Sequence, residues 1–363
     1  MTHTSSTHGN YTFVPKNEIT LEPIIVNALG NYDSANYQLS SPTHIAYDNN
    51  KETLYIANTS NNEIISINLS TSRPTSFGIT VEIPSTDITS PTALVYKEYT
   101  VYQQPASSAT GYLYFLDNYR TLKVFNLTTK VLSTIYTLDD DDVTVTDIVF
   151  DSNDYEYNLS LFMDSDIYIS ATGWDNNTAT GYVTKIRGRG PDYNPNTNTI
   201  TTSTIMSDIN VIHMINYDSA YLFVKREYDN VNSTLRDVII YVNQTMSTIL
   251  TFSGEGTDTS IDYINGRDPQ DLYYYNVNGL KYENGILYIM VYQNNTNEGS
   301  IIRVNVQQFN GARTIAGGGN ERTVTMKSPN DLQINNNKGG LEVDSNNDLL
   351  FCDSFAIRKT KYL

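Results

Sequence analysis

Hydrophobic and polar positions alternate along most of this 363-residue chain, in short runs that polar turns separate. Apolar residues recur at every second position, which is the period of a strand with one buried face. We find no stretch that keeps a period of about 3.6 residues long enough to indicate a helix. The many β-branched and aromatic residues, including 29 tyrosines, suit a pleated surface. The pattern predicts an all-β protein.

The apolar runs follow one another in an order that repeats. In the clearest copy, Ser41-Pro42 opens a first run that ends at Asp48, a second run covers 54–58, and a third covers 64–69. Runs of this length joined by short polar turns are typical of antiparallel hairpins, so each copy predicts a small meander of strands. Six first strands are predicted, at 41–48, 90–96, 146–151, 210–214, 278–282 and 339–344.

The copies recur at intervals of about 50 to 70 residues, which is longer than a minimal propeller blade of about 40 to 50 residues. The additional residues lie in polar segments at 103–110, 174–180 and 194–199. We predict loops there, and loops on a rigid scaffold are where binding residues are often found.

The two ends of the chain complement each other. The last copy stops after its third strand at Leu363, whereas residues 19–30 have the pattern of a fourth strand that lacks the first three. Pairing them would complete one blade and remove two unpaired sheet edges. We therefore predict a six-bladed β-propeller of four-stranded antiparallel blades. It is one domain over 19–363, its last blade is closed by the N-terminal strand, and residues 1–18 form a flexible polar tail.

Several copies resemble NHL repeats. In that repeat a proline precedes an apolar first strand ending in Asp, a second strand ends in Asp or Asn, and the fourth ends in a glycine-rich turn. The resemblance is carried by 41–58, by Arg-Thr-Ile-Ala-Gly-Gly-Gly at 313–319, and by 340–353. It implies a six-bladed propeller. The third and fourth copies lack the proline and the second-strand Asp. The Tyr-, Asn-, Ile- and Thr-rich composition is typical of an AT-rich genome and suggests a large DNA virus as one source.

The net charge of −17 limits the class of partner. Nucleic acids and anionic membrane surfaces are bound through Lys and Arg, so this charge opposes both. The first residues have neither the basic nor the apolar segment of a secretory signal, and no apolar run is long enough to cross a membrane. We predict a soluble protein that is cytoplasmic, or part of a virion if the source is viral. The single cysteine, Cys352, lies in an apolar run and predicts a buried core residue.

Two of the four histidines, His44 and His213, belong to first strands, which line the central channel of a propeller. Imidazoles there are candidate metal ligands, and Asp208 and Asn278 are further candidates near first strands. No carboxylate or cysteine stands at ligand spacing in the sequence beside either histidine, which favours ordinary hydrogen-bonded roles. The expectation is no cofactor, with Ca²⁺ or Zn²⁺ in the channel as the alternative.

Two other features are candidates for binding. The run Asp139, Asp140, Asp141 and Asp142 lacks the alternating pattern of a calcium loop, and consecutive like charges are typical of a solvated segment. The lone tryptophan, Trp174, lies in a polar insert, where it could anchor a partner or pack on its own blade.

No phosphate-binding loop or nucleophile elbow is present in the sequence. The sequence therefore favours a non-catalytic scaffold that binds a protein or a glycan through its loops, and a virion or surface structure is one setting for it. The alternative is a metal-dependent hydrolase or lyase, similar to lactonases, with its site in the central channel.

Overall fold

The computed structural model describes residues 19–26, 39–70, 79–103, 106–138, 144–150, 167–175, 178–187, 201–218, 220–243, 245–247, 249–257, 265–292, 299–306, 311–317, 334, 340–353 and 356–362. Within these ranges the chain consists of strands and turns, with two single turns of 3₁₀ helix at Thr59–Asn61 and Pro269–Asp271. No helix in these ranges is of the length and apolarity that spanning a bilayer requires.

The described strands form six sheets of four or five strands, which we name blades one to six, and one separate two-stranded hairpin. The first strand is β1 (Ile19–Val26). Blade one contains β2 (Pro42–Asp48), β3 (Thr53–Asn58), β4 (Glu63–Asn68) and β5 (Ile79–Ile83). Blade two contains β6 (Pro91–Gln103), β7 (Ala106–Asp117), β8 (Thr121–Asn126) and β9 (Leu132–Thr137). Blade three contains β10 (Thr144–Phe150), β11 (Ile167–Thr172), β14 (Tyr182–Arg187) and β15 (Thr201–Ser207), with a small hairpin of β12 (Trp174–Asp175) and β13 (Thr178–Ala179) between β11 and β14.

Blade four contains β16 (Asn210–Tyr217), β17 (Ala220–Asp229), β18 (Thr234–Val242) and β19 (Ile249–Ser253). Blade five contains β20 (Asn265–Arg267), β21 (Asn276–Glu283), β22 (Ile286–Tyr292), β23 (Gly299–Asn305) and β24 (Ala312–Gly317). Blade six contains β25 (Leu341–Val343), β26 (Leu349–Asp353) and β27 (Ala356–Tyr362).

Strand β1 completes blade six, whose strand order is β1-β27-β26-β25. It runs antiparallel to β27, with Ile19 opposite Tyr362 and Val26 opposite Ala356. Each backbone hydrogen bond contributes about 1 kcal/mol net to stability. The pairing of β1 with β27 therefore contributes a few kcal/mol to the free energy of unfolding. The predicted all-β, six-bladed propeller, closed by its N-terminal strand, is confirmed.

The hydrophobic core lies between the blades rather than within one centre. Among the described residues, six buried clusters occupy the six junctions between neighbouring blades. The two faces of each strand explain this arrangement, because successive side chains point to opposite neighbours. Cys352 is fully buried in the cluster between blades six and one, as predicted.

The structure departs from the predicted loops in two places. Most of the segment 103–110 is strand, because β6 extends to Gln103 and pairs with the start of β7. The run of tyrosine and β-branched residues before Gln103 favours this extension. The insert that begins at Trp174 forms the β12–β13 hairpin. Segment 194–199 lies outside the described residues.

Candidate metal centre in the central channel

The innermost strands β2, β6, β10, β16, β21 and β25 contact one another in a closed ring around the channel. In blades one to five, the pairing of the innermost strand with the second strand is interrupted once, and in three of these blades the pairing resumes at His44, Asp147 and His213. A bulge bends a strand and redirects the side chain next to it. Three blades therefore present a polar side chain at the same level of the channel.

The side chains of His44, Asp147 and His213 converge. One ligand atom from each lies within 4.8 Å of the other two, and among the described residues no other group of three His, Cys, Asp or Glu is so close. Nδ1 of His213 is 3.7 Å from Oδ2 of Asp147. The two imidazole centroids are 6.3 Å apart. Ligand atoms around one zinc ion lie about 3.4 Å apart. Side-chain rotations that move each ligand atom by about 1 Å would therefore let all three atoms coordinate one ion.

Asp147 is held in place by backbone amides of two blades. Its Oδ1 accepts a hydrogen bond of 2.9 Å from the amide of Ile148, and its Oδ2 accepts one of 2.5 Å from the amide of Met214. Asp147 and His213 are both buried. Because Met214 follows His213 directly, the carboxylate is fixed beside that histidine before any ligand arrives.

A cavity of about 430 Å³ opens onto this cluster. The innermost strands of all six blades contribute to its wall, and the charged side chains of Lys97, Lys281, Glu283 and Glu342 line it together with the three candidate ligands. This volume lies in the range of small-molecule sites, which combine an apolar wall with a few placed polar groups.

Blade six packs tightly against blade one at the level of His44. The amide of Gly340 donates to the carbonyl of Thr43 at 2.9 Å. A Cβ atom at Gly340 would lie 2.4 Å from the amide nitrogen of Ile45 and 3.0 Å from Cα of His44. Glycine is needed here because any side chain would displace the strand that carries His44.

Lys281 and Glu342 form an ion pair across blades five and six, with 2.6 Å between Nζ and Oε2. Their side chains are 25% and 20% exposed, so both reach the cavity. Burial raises the pKa of Glu342 above its ordinary value, although the ammonium group of Lys281 acts in the opposite direction.

The base of the β12–β13 hairpin is attached to the strand that carries His213. Oδ1 of the buried Asn210 accepts hydrogen bonds from the amides of Gly173 and Gly181, at 2.9 and 3.1 Å. Trp174 lies in this hairpin and is 40% exposed. Trp174, a predicted binding residue, thus lies on a short hairpin that Asn210 anchors to the start of β16.

The other predicted site residues lie apart from the cluster. Asp208 is exposed in the turn before β16, where its carboxylate accepts a hydrogen bond from the hydroxyl of Ser207. Asn278 is half-buried in β21 and is not among the residues that line the cavity. The acidic run Asp139, Asp140, Asp141 and Asp142 lies outside the described residues.

Asp147 was missed by the sequence reasoning, which looked for a carboxylate near each histidine in the sequence. The ring of blades makes that spacing irrelevant, since equivalent positions of different copies meet in the channel. A signal was available: His44, Asp147 and His213 each stand directly before the apolar run of a first strand.

No protein-family model and no curated protein sequence matches the chain, so the resemblance to NHL repeats stays a prediction, as does a viral source. Among solved structures, the chain is similar to a luciferin-regenerating enzyme, at 11% identity over 94% of this chain and 95% of that one, with a TM-score of 0.49. It is similar to a gluconolactonase from Xanthomonas campestris, at 8% identity over 90% and 87%, with a TM-score of 0.49. It is also similar to an oligogalacturonate lyase in complex with manganese, at 8% identity over 94% and 97%, with a TM-score of 0.45. Likenesses this distant carry no argument about the function of this chain.

Proposed function

We propose that the protein is a metal-dependent hydrolase or lyase with its site in the central channel, and that His44, Asp147 and His213 hold the metal. The observation that carries the proposal is the convergence of these three side chains within 4.8 Å on the wall of the cavity. Three protein ligands leave coordination positions open, as catalytic sites require. This reverses the preference for a scaffold that the sequence alone favours.

The donor set indicates which metals fit. Two imidazoles and one carboxylate suit Zn²⁺, Mn²⁺ or Fe²⁺, whereas Ca²⁺ takes about six to eight oxygen ligands. Among the described residues that line the cavity, the carboxylates are those of Asp147, Glu283 and Glu342, and the last is paired with Lys281. We therefore favour a transition-metal ion over calcium.

An ion at this position would act as a Lewis acid that polarises an oxygen of the substrate. The chain itself supplies rigidity, because the three ligands stand on innermost strands of three blades rather than on loops. The amides of Ile148 and Met214 keep the Asp147 carboxylate oriented towards His213. The charged side chains farther along the wall can then orient a polar substrate.

Isothermal titration of the metal-free protein with Zn²⁺ and with Mn²⁺ tests the proposal. We expect one equivalent to bind, and we expect His213→Ala to weaken binding at least about 100-fold, since outer-shell changes alone cost about 10- to 100-fold. Asp208→Ala is the matched control, because this carboxylate is exposed and outside the cluster. Absence of stoichiometric binding, or equal binding by the two folded variants, would contradict the proposal.

Binding of a protein or glycan is the second candidate, and the exposed Trp174 favours it. Aromatic side chains on anchored loops are common centres of binding energy. If this function holds, Trp174→Ala weakens capture of the partner and leaves the metal titration unchanged.

A further inference from the structure

A second polar group faces the cavity one layer along the channel from the candidate metal ligands. Glu342 lies two residues after Gly340, the residue that packs against His44. Residues two apart in a strand point to the same side and lie about 7 Å apart. The carboxylate of Glu342 is therefore placed within the reach of a small molecule bound at His44, Asp147 and His213.

Lys281 holds this carboxylate from the neighbouring blade, with 2.6 Å between Nζ and Oε2. The other carboxylate on this part of the wall, Glu283, lies two residues farther along β21 than Lys281 and so farther from the ligand layer. Among the described residues that line the cavity, Glu342 is thus the acidic group next to the metal ligands that is not itself a ligand.

We infer that Glu342 is the proton-transfer group of the channel site and that Lys281 is the positioning residue that aims it. The inference rests on the proposed metal-dependent function. In a hydrolysis, the oxygen of the attacking water bonds to the electrophilic carbon while one O–H bond breaks and the proton moves to Glu342. Glu342 then returns this proton to the leaving oxygen as the bond between carbon and that oxygen breaks.

The surroundings of Glu342 suit this role. Burial raises its pKa above the ordinary value, and a carboxyl group with a raised pKa holds a transferred proton more readily than an exposed one. The titratable groups that face it are Lys281, which stabilises the ionised form, and Glu283, which opposes it. The hydrogen bond from Lys281 also orients the Glu342 carboxylate from the neighbouring blade.

Acetohydroxamate is a probe small enough for the cavity, and it gives up one proton when it chelates a transition metal. Titration of the Zn²⁺-loaded protein near pH 7, in two buffers of different ionisation enthalpy, counts the protons that reach the buffer. In the wild type we expect Glu342 to retain most of that proton, so that the count is lower by about half a proton or more than in Glu342→Gln. Glutamine can still accept the hydrogen bond of Lys281, so this variant keeps the contact between the two blades.

Three controls separate the outcomes. Glu283→Gln should give a proton count nearer to that of the wild type than to that of Glu342→Gln, because Glu283 lies farther from the ligands and acts only through the pKa of Glu342. Glu342→Asp should give a count between those of the wild type and Glu342→Gln. Lys281→Arg should keep the wild-type count and Lys281→Met should not, since only the former retains a cation for Glu342.

Failure of the inference differs from failure of the proposed function. If Zn²⁺ does not bind, or the loaded protein does not bind acetohydroxamate, the open metal site itself is contradicted. If both bind, and the wild type and a folded Glu342→Gln release equal numbers of protons, the metal site stands and the role of Glu342 is overturned.

Discussion

Two adjacent layers of the channel wall use opposite blades for chemistry. In the first layer, blades one, three and four carry His44, Asp147 and His213, while blades two, five and six carry small residues. The second layer lies two residues farther along each first strand. In this layer, blades five and six carry charged side chains, whereas blades one, two and four carry apolar side chains. By their order in the repeats, the small first-layer residues are Ala93, Gly279 and Gly340, and the second-layer residues are Lys281 and Glu342, against Ala46, Val95 and Ile215. Ala93 and Ala46 are buried in the junctions between blades, and the other six line the cavity.

This difference shows how one repeat position serves two purposes. Where the position carries a polar side chain, it builds the site; where it carries glycine, as at Gly340, the strands approach closely enough to close the ring. Residues of both layers line the same cavity. A substrate in that cavity would be in reach of the metal ligands and of the Lys281–Glu342 pair.

The largest expected effect comes from filling the close contact in the first layer. Gly340→Val would place atoms about 2.4 to 3.0 Å from the backbone of Ile45 and His44. Overpacking against backbone costs about 3 kcal/mol or more, so the free energy of unfolding should fall by that amount in a urea titration.

The matched control is Ala93→Gly at the corresponding position of blade two. Ala93 has a positive φ of 47°, which glycine adopts without strain. This variant should change the free energy of unfolding by less than about 1 kcal/mol. Similar losses in the two variants would show that this layer does not depend on close packing at Gly340.

A second expected effect compares an ion pair within blade four with the pair that joins blades five and six. Arg226 binds the fully buried Asp237 through two hydrogen bonds of 2.7 and 2.8 Å, and Asp237 also accepts from the amide of Val277 in blade five. Removing one partner of a buried pair leaves an uncompensated charge, so Arg226→Met should cost about 3 kcal/mol of unfolding free energy.

Lys281→Met breaks the pair that faces the cavity, and its expected cost is about 1 kcal/mol or less because solvent screens that pair. Thermal unfolding of the two variants, measured in parallel, checks the difference. Equal destabilisation by both would mean that the cavity pair is a structural element rather than part of a site.

A third effect concerns the ligand layer alone. Asp147→Asn keeps the shape and an oxygen donor of the side chain but removes its charge, so we expect the affinity for Zn²⁺ to fall by more than about 10-fold, which is the smallest typical cost of an outer-shell change, while the fold is retained. Asp208→Asn, the same change at an exposed carboxylate, should leave the affinity unchanged. Calorimetric titration and circular dichroism together measure both quantities.

The closure of the ring was predictable from the sequence, because the last copy has the pattern of three strands and the segment 19–26 has that of a fourth, and β1 does pair with β27. Strand type was also predictable, since the period of two is a local property. The β12–β13 hairpin was not, because its strands of two residues are too short to show a period.

The site was predictable only in part. The two histidines could be placed in the channel because they belong to first strands, but Asp147 joins them through the ring rather than through the sequence. The Lys281–Glu342 pair likewise depends on the contact between blades five and six, a distance that no spacing along the chain encodes.

The smallest expected effect is a pair of opposite pH dependences. Burial raises the pKa of Glu342, so the stability that this group contributes is complete below its unfolded value of about 4.3 and is lost as the pH rises through the folded pKa. Burial acts in the same direction on Glu227, yet its bonds to Lys225 and Arg236 lower the pKa overall. The contribution of Glu227 is therefore present above about pH 4.3 and is lost as the pH falls.

Urea titrations of the wild type, Glu342→Gln and Glu227→Gln between about pH 4 and pH 7 measure these signs. The unfolding free energy of the wild type relative to Glu342→Gln should decrease as the pH rises, and that relative to Glu227→Gln should increase. The same sign for both glutamates would mean that the ionised form of Glu342 is stabilised as well as that of Glu227. The pKa of Glu342 would then not be raised by burial. The contrast between the cavity layer and the outer blades would be weaker.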